Sequence, residues 1–238
     1  MKARIPDTHP LIAIIGDIVS SRDLVSSQRK ATQKTLIQFL DNLNRTFRDS
    51  IVADFTVIRG DEFEALIRPA GASHLIPDVI WNVTEKFPGI AFRFGIGLGT
   101  IDTAIERDPR VADGSAFHNA REAIDRAKSD SLLGGVFSGF RADQDEILNG
   151  IARLLNYHRE SWTHQQSRLA QLLRSNPRQS DAATNLGISK QAVSAYARDA
   201  GWKAYLEGET AWRKAIEAAL DSVSFPRSTE TMSTEAKS

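Results

Sequence analysis

Phe55-Thr-Val-Ile-Arg-Gly-Asp-Glu-Phe-Glu-Ala-Leu-Ile67 is the stretch that decides the fold. Two runs of β-forming residues, Phe55 to Ile58 and Phe63 to Ile67, flank Arg59-Gly60-Asp61-Glu62. A Gly-Asp pair between apolar runs marks a hairpin, because glycine tolerates the backbone angles of a tight turn. Asp61 and Glu62 stand at the tip, where a turn can be built without them. Adjacent carboxylates repel, so the tip is either a solvated turn or a place that holds a cation.

Working outward, Leu11-Ile-Ala-Ile-Ile15 is a continuous apolar run, the pattern of a strand buried on both faces, and it ends in Gly16-Asp17-Ile-Val-Ser-Ser21. Leu36, Leu40, Leu43 and Phe47 recur at helical spacing, with Ser26 or Ser27 as the N-cap. Leu75, Val79, Val83 and Phe87 mark a second helix, closed by Pro88-Gly89. From Ile90 to Ile101, Phe92, Phe94, Ile96 and Leu98 alternate with Arg93, Gly95, Gly97 and Gly99. A strand face of bare backbone means that a helix, or less plainly a ligand, approaches closely. Thr100 to Asp113 reads as a loop, Ser115 to Lys128 as a helix, and Gly134 to Gly139 as a short final strand. The order of elements predicts two split βαβ halves around a central hairpin, a ferredoxin-like sheet elaborated at its end.

Beyond about residue 142 the strand pattern stops. Ile147, Ile151, Leu154 and Leu155 mark one helix, Leu169, Leu172 and Leu173 another, and Trp212, Ile216, Leu220 and Val223 a last one. Between them, Gln179 to Ala200 fits a helix-turn-helix. Ala183 is small at the crossing and Gly187 suits a left-handed turn residue, while Ile188, Val193 and Tyr196 fill the inner positions and Ser189 caps the second helix. That helix would present Ser189, Lys190, Gln191, Ser194 and Arg198 to DNA; a pair used for protein contacts is the plainer alternative. The expected division is α+β: residues 1–142, an all-α domain over 143–224, and a disordered Ser/Thr/Glu-rich tail over 225–238.

Composition narrows the classes. The 238 residues are 41% hydrophobic and 25% charged with a formal net charge of zero, so only a local patch could attract nucleic acid. One such patch lies between Gly150 and Ala204, where eight Lys and Arg face three Asp and Glu. The absence of cysteine excludes disulfides, thiolate catalysis and Cys-ligated zinc. The run Leu11 to Gly16 is too short for a signal core or a membrane span, so the expectation is a cytoplasmic protein without membrane insertion.

In a ferredoxin-like sheet, Asp17 at the end of the first strand and Asp61 at the hairpin turn reach one edge. With Glu62 assisting, these acids would hold Mg²⁺ or Mn²⁺, which shares its shell with phosphate oxygens. The backbone N–H groups of Ile18, Val19, Ser20 and Ser21 would meet the phosphates of a nucleoside triphosphate.

Val57-Ile-Arg-Gly-Asp-Glu-Phe-Glu-Ala-Leu66 resembles the metal-binding hairpin of GGDEF diguanylate cyclases and class III nucleotidyl cyclases. Ile14-Ile-Gly-Asp-Ile-Val-Ser-Ser21 resembles their first strand, and Ala120 to Lys128 the late helix of GGDEF domains. Over residues 11–140 the chain is most similar to the SatD family of bacterial proteins. That similarity rests on Gly16-Asp-Ile-Val-Ser-Ser21, the hairpin, Arg93-Phe-Gly-Ile-Gly-Leu-Gly99 and Asp113-Gly-Ser-Ala-Phe-His-Asn-Ala-Arg121. The resemblance implies a nucleotidyl-cyclase-like palm domain with a metal site. Two departures stand against catalysis. Arg59 replaces the first glycine of GGDEF, and Phe117 stands four residues before Arg121 where class III cyclases carry an asparagine, unless Asn119 substitutes in another geometry. The reading is a nucleotide-responsive, dimeric DNA-binding regulator. The alternatives are an active nucleotidyl cyclase or related nucleotidyltransferase, and a degenerate palm serving as a dimerisation scaffold.

Overall fold

A computed structural model describes residues 9–20 and 25–223. The tail expected at 225–238 and the proposed phosphate contact at Ser21 lie outside the described residues. Within them the protein is mixed α+β, with a five-stranded sheet and eight α-helices.

The strands are β1 (Leu11–Ile18), β2 (Ile51–Arg59), β3 (Glu62–Ile67), β4 (Phe92–Gly99) and β5 (Gly134–Ser138). They lie in the order β2-β3-β1-β4-β5. β1 is antiparallel to both β3 and β4, β2 is antiparallel to β3, and β5 joins the edge parallel to β4. Being central, β1 is buried on both faces, as its unbroken apolar run requires.

Ile12 and Ile14 of β1 face a core shared with Leu36, Leu40 and Leu43 of α1 (Ser26–Thr46) and Val79 and Val83 of α2 (Ala72–Lys86). Leu11, Ala13 and Ile15 face the other way, onto Ala116, Ala120 and Ile124 of α3 (Ser115–Ser129). The N-cap of α1 is Val25, with no side-chain cap bond, rather than Ser26 or Ser27.

The glycine face of β4 is covered by a helix. A Cβ built at Gly95 or Gly97 would collide with the backbone of α3 at Ala116, Ala120 and Ile124, and one at Gly99 would strike Ser115 and Ala116. Gly16 serves a similar purpose on β1: the ring of Phe63, its register partner on β3, occupies the space of a side chain there.

The remaining helices are α4 (Ala142–Glu160), α5 (His164–Ser175), α6 (Gln179–Leu186), α7 (Lys190–Asp199) and α8 (Trp202–Asp221). The buried cluster that contains Ile12 and Phe94 continues without a break into Leu148, Leu169, Trp212 and Ile216. α4 buries Leu148, Ala152 and Leu155 against β5 and α8. This corrects the apolar face read from the sequence, since Ile147 and Leu154 point outward and are 47% and 71% exposed.

An ionic and aromatic joint ties α2 to the later helices. Asp78 receives Arg174 of α5 at 2.9 Å and Arg213 of α8 at 2.7 Å, and Glu209 receives Arg174 at 2.6 Å. Trp81 of α2 packs against Trp162, Trp202 and Tyr205, with the guanidinium groups of Arg159 and Arg174 over its ring. None of the helices among the described residues is long and apolar enough to cross a membrane.

Two outcomes test this packing. Gly97→Val forces a branched side chain into the backbone of α3, and chemical denaturation should show a loss of at least about 2 kcal/mol. Glu85, at the end of α2, is pushed up to about 7 mainly by burial, against the pull of Arg159 and Arg174. A carboxyl whose pKa rises on folding binds its proton more tightly in the native state, so stability falls as pH rises from 4.5 to about 7. Glu85→Gln should remove that slope and raise stability at pH 8 by up to about 2 kcal/mol, read from melts across the pH range.

Candidate functional site

The hairpin and β1 interlock through the Phe63 ring on Gly16, and this sets the next residues along each strand at one edge. Gly60 leads the turn with φ 64°, and β3 begins immediately after Asp61. Glu62 and Glu64, two apart on β3, lie on the same face. Asp17 is one residue past the Gly16–Phe63 pair and opposite Arg93 on β4.

Because β4 has no side chains in the way, α3 lies close enough to bring two cations onto this edge. Arg121 donates to Glu62 at 2.9 Å and to Glu64 at 2.7 Å. Lys128, seven residues and two turns later, stands 3.6 Å from both Asp17 and Glu62. The cluster is therefore Asp17, Asp61, Glu62 and Glu64 against Arg121 and Lys128.

Its electrostatics are uneven. Burial raises the pKa of Asp17, Lys128 pulls it back, and the charges of Asp61 and Glu62 raise it again. Burial also raises that of Glu64, opposed by Arg121. Glu62 feels the same burial, but its bonds to Arg121 and the charge of Lys128 outweigh it and hold the carboxyl low.

The expected metal ligands thus share one edge, but Asp17 and Glu62 have cationic side chains beside them. No set of three or more His, Asp or Glu gathers among the described residues as a metal cage. Mg²⁺ bound with a phosphate substrate needs only one or two carboxylates, the phosphate and water completing its shell. Asp17 and Asp61 fit that use, and a protein-only cage is not formed.

The phosphate cradle needs revision. The N–H of Val19 is spent on Ala91 O at 2.9 Å, and Ile18 is a paired, buried strand residue. Ser20 has φ 53° at the end of the described segment. Asn119 does not join Arg121, because its side-chain amide donates to Leu98 O at 2.7 Å and residues two apart on a helix face different ways.

Between α1 and the hairpin tip lies a cavity of about 80 Å³, lined by Ile18, Thr32, Gln33, Gly60 and Asp61 among others. It is too small for a whole nucleotide, which would lie across the edge. Larger grooves, of about 680 and 660 Å³, lie along α4 and between α2 and α5. Sequence reasoning overlooked Glu64 and the paired use of Arg121 and Lys128. The i, i+2 spacing on β3 and the i, i+7 spacing on α3 were the available signals.

In the C-terminal part, α6 ends at Gly187 with φ 65°, and the Ser189 hydroxyl caps α7 by accepting from Ala192 N at 3.1 Å. Ser189, Lys190, Gln191, Ser194 and Arg198 are all exposed. Val193 is buried and Ile188 partly so, but Tyr196 is 38% exposed and not an inner residue. The basic excess also shrinks at the surface, since Arg159 and Arg174 turn inward at 14% and 20% exposure.

The sequence model of the SatD family matches residues 11–216. The chain belongs to the SatD family. No curated protein matches it. Among solved structures, this SatD protein is similar to a regulator of polyketide synthase expression from Bifidobacterium adolescentis. The identity is 15%, the match covers 90% of this chain and 80% of that one, and the TM-score is 0.29. A likeness that loose supports no statement about function.

The ion pairs make a separable claim about stability. Arg121→Ala takes the paired cation from Glu64 and leaves Glu62 with Lys128 alone, and should cost about 2 kcal/mol, below the range for fully buried pairs because Arg121 is partly exposed. Adding Glu64→Gln should return part of that loss in a double-mutant cycle.

Proposed function

We propose that this SatD protein binds a nucleoside triphosphate with Mg²⁺ or Mn²⁺ on the β1–β3 edge of a ferredoxin-like palm, and reports that binding to a DNA-binding helix-turn-helix. It would act in the cytoplasm. The observation that carries the reading is the clustering of Asp17, Asp61 and Glu62 with Arg121 and Lys128 on one edge.

A metal–triphosphate complex carries both signs of charge and matches such a cluster. Asp17 and Asp61 would hold the cation, which when bound screens the phosphate charge. Lys128 and Arg121, displaced from the carboxylates, would grip phosphate oxygens, with the guanidinium suited to a two-point contact. Asp17 and Glu64 are carboxyls raised by burial, so ligand charge would relieve a cost the free protein carries. Binding is favoured over turnover, because Asn119 is committed to Leu98 O and Phe117 occupies the class III asparagine position.

The DNA half rests on α7. Its N-terminus is capped by Ser189, and Lys190, Gln191, Ser194 and Arg198 are exposed for base edges and phosphates. Residues 1–142 and 143–224 would then act as sensor and reader. The contacts of Asp78 with Arg174 and Arg213 would carry movement between them. A two-fold dimer would offer two α7 helices to paired half-sites.

Calorimetry with ATP and GTP in the presence of Mg²⁺ should show binding that weakens at least about tenfold in Lys128→Ala. No binding to either nucleotide by the wild type would sink the sensor half. Duplex binding should fall with salt, and Lys190→Ala or Arg198→Ala should weaken it about five- to tenfold in mobility shifts. A wild type that ignores DNA at low salt would remove the reader half.

A further inference from the structure

The outward face of α4 is made of Asp143, Glu146, Ile147, Gly150, Arg153, Leu154, Tyr157 and Glu160, all exposed. Ile147, Leu154 and Tyr157 are 47%, 71% and 73% exposed, among the largest apolar side chains left open on the described surface. Along the helix, Asp143, Ile147, Gly150, Leu154 and Tyr157 follow each other at steps of four, three, four and three. That spacing sets them on one stripe of the helix, the geometry of a helix–helix seam.

Gly150 supplies the second argument. Glycine inside a helix costs about 1 kcal/mol relative to alanine, so it needs a reason. None lies among the described residues, where a Cβ built at Gly150 would meet nothing within 4 Å. Gly208 of α8, by contrast, lies against Leu155. A bare helix surface in the middle of an exposed apolar seam suits the close approach of a second helix.

Charge selects the partner. If a second α4 is laid antiparallel with the two Gly150 residues at the crossing, positions whose numbers sum to about 300 face one another. Ile147 then meets Leu154, and Glu146 meets Arg153. Each pair occurs twice by symmetry. Towards the ends, Asp143 meets the Tyr157 hydroxyl. A parallel pairing would instead set Glu146 against Glu146 and Arg153 against Arg153. The stripe is complementary to itself in one direction only, the property of a two-fold interface.

We propose that a second copy of this chain docks on the outward face of α4, as an antiparallel helix pair crossing at Gly150. This names the surface for the dimer invoked in the proposed function, and it depends on that reading only for the use to which two DNA-binding helices are put. α7 is not part of the seam, so the pairing leaves Lys190 and Arg198 available.

Sedimentation velocity on the full chain, from micromolar to hundreds of micromolar, tests the proposal. Wild type should form a dimer. Glu146→Arg and Arg153→Glu should each weaken it about tenfold, and the Glu146→Arg/Arg153→Glu double variant should restore it. Leu154→Glu should be monomeric. All three substituted positions are exposed, so circular dichroism should show wild-type helicity and melting. A dimer indifferent to the single reversals, or one that the double swap fails to restore, overturns the α4 surface while leaving dimerisation itself intact. A monomeric wild type at all concentrations overturns both.

Discussion

The contact on which the structure depends is backbone against backbone. α3 lies directly on the glycine face of β4, with Ala116, Ala120 and Ile124 against the bare strand. No side chain of β4 separates the helix from that strand, so α3 sits lower over β4 than a helix on an ordinary strand would. That depth has a consequence for charge. Arg121 and Lys128 reach across β4 and β1 to Glu62, Glu64 and Asp17, which a helix held off by larger side chains could not do at the same angle. The site's electrostatics are therefore set by residues with no charge at all.

A second constraint joins the sheet layer to the helices that follow. Asp78 and Glu209 hold two arginines, and Arg174 also lies over Trp81. Ion clusters of this kind contribute little net stability once desolvation is counted, but breaking one partner is expensive, so they specify a single relative arrangement. With Trp162, Trp202 and Tyr205 packed around Trp81, the joint is both apolar and directional.

Much of this was legible from residue order. Period-two alternation located β4, the unbroken apolar run located β1, and Gly-Asp located the hairpin turn, because each is a local response of the backbone to its own side chains. The misreadings came where partners decide. Ile147 and Leu154 look like core residues from hydrophobicity alone, but β5 and α8 cover the side of α4 that carries Leu148, Ala152 and Leu155. Tyr196 fits an inner position of the helix pair by type and is left exposed by its neighbours. Asn119 seemed free to join Arg121 until Leu98 O claimed its amide, and the Val19 N–H seemed free for a phosphate until Ala91 O took it.

By itself, the sequence determined the element order, the family, the acidic tip of the hairpin and the chemistry presented by α7. These follow from spacing and residue type within a few turns of chain. Only the tertiary structure decided what neutralises the acids of Glu62-Phe-Glu64, which face of α4 is left bare, and which arginines of the basic stretch turn inward. Charge pairing and burial depend on residues tens of positions apart. Arg121 lies 59 residues from Glu62, and no local pattern records their meeting.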